Sequence, residues 1–126
     1  MTKLSAEVVP DKVWKSCQKA APVKDEQKIG AHIVIMVHGF QGNHGDMRVL
    51  RNHINLQNPH CVMMLSLANE DQTEGDLFEM GERLSSEVKK FIINFAPAEC
   101  ISKISFVGHS LGGLIIRAAL PHLTEY

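Results

Sequence analysis

The residues best placed for chemistry are Gly108-His109-Ser110-Leu111-Gly112, a G-x-S-x-G set between the apolar run Ile104–Val107 and a helical pattern of Leu111, Leu114, Ile115 and Ala118. A serine becomes a nucleophile in this setting when a sharp strand-to-helix turn pushes its Oγ above the end of a sheet. Glycines two positions to either side keep Cβ atoms out of that turn. The backbone N–H of Leu111 then lies at a helix N-terminus, where donors are unpaired and negative charge is favoured. Upstream, His38-Gly39-Phe40 directly follows a second apolar run, His32–Val37. If both runs are parallel strands, both turns open at the same sheet edge, and the Phe40 N–H is a second candidate donor for a developing oxyanion. A structural serine on a tight turn would need no such second loop. The chemistry expected of the pair is acyl transfer through Ser110.

Positioning these residues requires regular elements. His32–Val37 and Cys61–Leu67 read as strands buried on both faces, and Ile104–Val107 as a third. Between the first two, Met47, Leu50 and Ile54 share one helical face, which Asn43 or Asp46 could cap. Between the second and third, Leu77, Met80, Leu84, Val88, Phe91 and Phe95 recur at helical spacing. Thr73-x-x-Asp76 suggests a capping box before them, and Pro97 a stop after them. A third helix follows Ser110 and should end or kink at Pro121. Alternating strands and helices imply right-handed crossovers, and hence a three-stranded parallel sheet with helices on both sides. Residues 1–29 read as a leader segment, with a possible short helix from Pro10 and Asp11 carrying Val13, Trp14 and Cys17. The regular domain spans residues 30–126.

VHGFQGNHGDMR together with GHSLGGLIIRAAL resembles the α/β-hydrolase superfamily, and more closely the eukaryotic lipase-like serine esterases. NEDQTEGD and Met80-Gly81-Glu82-Arg83-Leu84 through Glu87 are similar to that family's segment after its next strand. The resemblance covers residues 31–126. It implies a partial α/β-hydrolase fold and a carboxylic-ester or lipid substrate. It also implies Ser110 as nucleophile, Phe40 and Leu111 as oxyanion donors, and His38, Gly39, Gly108, His109 and Gly112 as site-shaping residues. In that fold the triad runs Ser, then Asp or Glu, then His. After Ser110 the sequence offers only His122 and Glu125. Were the helix to continue, His122 would lie about 18 Å along it, beyond hydrogen-bonding reach. The expectation is therefore a truncated domain, inactive alone, whose triad Asp and His lie beyond Tyr126. His38 and His109 are closest to the serine, but as motif residues they suit loop ordering better than proton transfer. The alternative expectation is a catalytically dead hydrolase-like domain that binds a partner protein through exposed sheet edges.

Composition adds mainly exclusions. The chain has 126 residues, 44% apolar and 21% charged, with a formal net charge of −1. One globular domain is expected, with no basic stripe for nucleic acid. Cys17, Cys61 and Cys100 form no C-x-x-C, so neither a disulfide framework nor a zinc knuckle is indicated. His32, His38 and His44 straddle a strand and a turn without ligand spacing, and no metal or organic cofactor is expected. Asp46 and Arg48 read as a helix-start acid and its solvated neighbour, and Met63-Met64 as core. With no secretory h-region and no apolar run near 20 residues, a cytoplasmic location without a transmembrane segment is the expectation. The partner expected at the sheet edge is the missing C-terminal part of the fold or another chain.

Overall fold

A computed structural model describes residues 30–95 and 100–126. The elements are β1 (Ala31–Val37), a short 3-10 turn (His44–Met47), α1 (Arg48–Gln57), β2 (Cys61–Leu65), α2 (Leu77–Phe95), β3 (Ile101–Gly108), α3 (Leu111–Ala119) and a closing 3-10 turn (Leu120–His122). The architecture is α/β, a three-stranded parallel sheet with flanking helices. The expected helix near Pro10 and the stop at Pro97 lie outside the described residues.

The strands are ordered β2-β1-β3, and this order governs the rest. The β1-to-β2 connection steps one way across the sheet, and the β2-to-β3 connection steps back over β1. If both crossovers are right-handed, their helices must take opposite faces. Ile33, Ile35, Val37, Val62 and Met64 accordingly pack with Met80, Leu84, Val88 and Phe91 of α2 and with Ile115, Ile116 and Ala119 of α3. Val34 and Met36 face the other way, against Met47 with Ile54, Cys61, Met63 and Leu65 around them. β1 lies between its neighbours, and Ile33, Ile35 and Val37 are fully buried.

Some local expectations change. Met47 and Ile54 pack on the sheet, but Leu50 is 44% exposed and α1 has no buried residue. Asn43 does cap, but it caps the 3-10 turn ahead of α1: its side chain accepts from Gly45 N–H, and Asp46 answers by accepting from Asn43 N–H. The Thr73–Asp76 capping box is not formed. Asp76 alone caps α2, accepting from the N–H groups of Phe78 and Glu79, while the Thr73 hydroxyl is engaged elsewhere. β3 begins earlier than its apolar run suggested, at Ile101, where the Ser102 hydroxyl bonds the carbonyls of Gly30 and Ala31. α3 stops at Ala119, with Pro121 inside the following 3-10 turn.

Candidate active site

α1 leaves the end of β1 toward one face of the sheet, and α3 leaves the end of β3 toward the other. A crevice opens between two parallel strands wherever this happens. The register pairs Val37 with Gly108, and His109 N–H donates to Val37 O at 3.1 Å, so His38–Phe40 and His109–Ser110 emerge side by side.

Ser110 stands at the N-cap of α3 with φ 54° and ψ −120°, a conformation that L residues avoid. The backbone on either side of it is closely packed. A Cβ on Gly108 would lie 2.6 Å from Gly113 N, and one on Gly112 would run into the carbonyls of Val37 and His38. Those two glycines let the first turn of α3 press against the strand ends. A Cβ on Gly39 would come within 3.2 Å of Ser110 Cβ and 3.0 Å of His109 O, so the oxyanion-loop candidate lies directly against the serine.

Phe40 and Gln41 form the middle of a turn closed by Gly42 N–H donating to Gly39 O at 3.0 Å. His38 Nδ1 also lies 3.1 Å from that carbonyl. With Gly39 O engaged on one side, the planar trans peptide turns the Phe40 N–H to the other. Leu111 is the first residue of α3, where helix geometry gives its N–H no carbonyl partner.

His38 is 1% exposed, and its Nε2 has no partner among the described residues. It sits beneath the turn, whereas His109 is exposed beside Ser110. The three regularly spaced histidines go to separate places. His32 Nε2 lies 2.7 Å from Ser105 Oγ and its Nδ1 3.3 Å from Cys61 Sγ, while His44 pairs with Glu70. Burial, with Lys103 nearby, lowers the His32 pKa below its ordinary 6.5.

Ser110 opens into a cleft of about 580 Å³ whose lining includes Phe40, Met47, Val49 and Leu50 together with Asp46 and His53. The ring of His53 reaches back to Val49 O at 2.9 Å. Sequence reasoning did not assign α1 to this cleft, although the exposed side chains of an amphipathic helix following the His38–Gly45 turn could have suggested it.

A second group was also missed, the polar residues behind the Gly39–Gly42 turn. Glu87 Oε2 accepts from the Ser66 hydroxyl at 2.6 Å and Oε1 from Leu67 N–H at 2.7 Å. Burial pushes the Glu87 carboxyl above its ordinary 4.5, against the opposing pull of hydrogen bonds from Ser66, Leu67 and Ala68 and the charge of His38. Arg83 Nε donates to Asn69 Oδ1 at 2.7 Å, and Asn69 Nδ2 donates to Met80 O at 3.0 Å. Only the likeness of NEDQTEGD and the Met80–Glu87 stretch to a family pattern marked this region in the sequence.

A family model described as "Putative serine esterase (DUF676)" matches residues 27–126. The chain belongs to that family. Two similar proteins of Saccharomyces cerevisiae agree with the assignment. "Putative lipase YDL109C" is 34% identical over 121 residues, which is 90% of this chain and 17% of that protein. "Putative lipase ROG1" is 35% identical over 100 residues, 75% of this chain and 14% of that protein. This member of the family thus spans about a sixth of the length of those relatives. No solved structure matches it significantly. Among the described residues no helix is long and apolar enough to cross a membrane, and no three His, Cys, Asp or Glu side chains are grouped to hold a metal.

Proposed function

We propose that this chain carries the nucleophile and oxyanion hole of a serine hydrolase for carboxylic esters with an apolar acyl group, lipids among them. One observation carries the reading. Ser110 is held at positive φ on a strand-to-helix turn, against Gly39-Phe40, at the mouth of a cleft lined by apolar side chains.

The ester's acyl group lies along Phe40, Met47, Val49 and Leu50, which brings its carbonyl carbon to Ser110. Oγ attacks that carbon as its proton passes to a base. The carbonyl oxygen becomes an oxyanion that the N–H groups of Phe40 and Leu111 receive. Collapse expels the alcohol and leaves an acyl-Ser110 ester, which water cleaves to the carboxylic acid. No step calls for a metal or organic cofactor. In this fold the acid and base of the triad follow the nucleophile in chain order. A fluorophosphonate probe tests this on the full-length protein. Labelling of wild type that is abolished in Ser110→Ala is expected, and labelling that survives the substitution overturns the reading.

A further inference from the structure

The turn beside Ser110 holds a second strained residue. Gln41 takes φ 53° at the third position of the Gly39–Gly42 turn, a place that favours glycine. Two bonds from one other loop hold it there. Gln41 N–H donates to Thr73 Oγ1 at 2.7 Å, and Gln41 Nε2 donates to Glu74 Oε1 at 2.9 Å. The same loop reaches the far end of the oxyanion segment, where Glu70 Oε1 accepts from His44 N–H at 2.8 Å and also pairs with the His44 ring. Thr73 is buried at 5% exposed, so its hydroxyl is committed to this contact. Behind it, α2 grips the loop through Arg83 Nε to Asn69 Oδ1, Arg83 Nη2 to Gln72 O, and Glu87 to Leu67 N–H.

The two common turn types differ by a flip of the central peptide, here Phe40–Gln41. A non-glycine third residue favours the flip that removes positive φ. The N–H that Thr73 accepts belongs to that same peptide. Without the hydroxyl, the Phe40–Gln41 peptide is free to rotate about Phe40 ψ and Gln41 φ, and the turn loses its tie to the Asn69–Glu74 loop. The Phe40 N–H, carried on that turn, is then no longer held at a fixed place beside Ser110.

We propose that Thr73, in the loop that Glu70 ties to His44, is a positioning residue of the oxyanion hole, which holds the Gly39–Gly42 turn in the conformation that directs the Phe40 N–H at the substrate carbonyl. The inference rests on the reading of Ser110 as nucleophile. It gives the Asn69–Glu74 loop a catalytic purpose although it touches no substrate.

Hydrolysis of a p-nitrophenyl ester by the full-length protein tests it. Thr73→Val keeps the shape and removes the hydroxyl. It is expected to lower kcat roughly ten- to a hundredfold with KM within about threefold, since misplacing a catalytic group acts on the reacting geometry. Thr73→Ser restores kcat. Gln41→Gly in the Thr73→Val background restores much of it, because glycine holds positive φ without help. If Thr73→Val fails to fold, Glu70→Gln, which leaves the hydroxyl in place, should still lower kcat severalfold with KM held. Wild-type kcat in Thr73→Val, or in Glu70→Gln where that variant stands in, overturns the proposal. So does a Thr73→Ser as slow as Thr73→Val, or a Gln41→Gly double variant with no recovery. Hydrolysis that survives Ser110→Ala overturns the nucleophile reading and this inference with it. Loss in Ser110→Ala beside an unaffected Thr73→Val overturns this inference alone.

Discussion

The adjacent glycines of α3 show how unevenly single positions carry the site. Gly112 has the carbonyls of Val37 and His38 where a Cβ would go, backbone atoms that cannot swing aside, whereas nothing lies within 4 Å of a Cβ on Gly113. Gly112→Ala must push α3 off the end of β1, with an overpacking cost of about 1–3 kcal/mol. The same shift separates Ser110 from Phe40. Gly113→Ala meets no obstacle and gains helix propensity, so it should stabilise by roughly 0.5–1 kcal/mol. Chemical denaturation of the two variants checks the contrast, and equal effects of the same sign would show that α3 is not seated on the strand ends as described. The pentapeptide made Gly108 and Gly112 legible in the sequence because its spacing is set by this local turn. Nothing local to residue 73 pointed to Gln41. The Thr73–Gln41 bond joins two loops distant in sequence, and such a contact has no periodicity to read. Thr73 and Asp76 even suggested a local use, a capping box, that the fold does not make.

Among the elements, α2 was the most legible and also holds what was least so. Its apolar spacing placed Met80, Leu84, Val88 and Phe91 in the core, where all four are buried. The same helix brings Glu87 to the loop after β2, and a carboxylate amid a helical repeat reads as a solvated residue until its partners are known. Its charge has a consequence for stability. The folded-state pKa of Glu87 is raised above 4.5 by burial. Its contribution is therefore fully present below 4.5 and is lost as pH rises through the folded value. Gln resembles the protonated carboxyl and does not titrate. Urea unfolding across pH 4–8 should show Glu87→Gln gaining stability relative to wild type as pH rises. Glu70 has the opposite sign: partial burial would raise it, but hydrogen bonds and charge from His44, with His38 adding, hold it below 4.5. Its contribution is lost only as pH falls through that lowered value, and because both proteins keep Glu70, it cancels from their difference. A difference independent of pH would mean that Glu87 is not held in the environment described.

At the scale of the whole molecule, strand order divides the fold into faces of unequal strength. α2 and α3 cover one face with a continuous core that includes the fully buried Leu84, Val88, Ile115 and Ala119. α1 covers the other with no buried residue of its own, and Val49 and Leu56 are 68% and 81% exposed. Local opening is cheapest where little apolar surface must be uncovered. α1 should therefore exchange its amide hydrogens by local fraying, well before β1 and α2, whose amides open only with global unfolding. That ordering bears on the cleft, since α1 supplies Val49, Leu50 and His53 to its wall while β1 and β3 hold the opposing Gly39 and Ser110. In the proposed reaction, the rigid side would hold Ser110 and Gly39 in place while the yielding side adjusts to acyl groups of different length. Native-state hydrogen exchange with residue resolution distinguishes this from a uniformly stable domain. Amides of residues 51–57 should show protection at least tenfold lower than those of Ile33, Ile35 and Val37, with a denaturant dependence close to zero. Protection in α1 equal to that of β1 would show the cleft to be rigid on both sides.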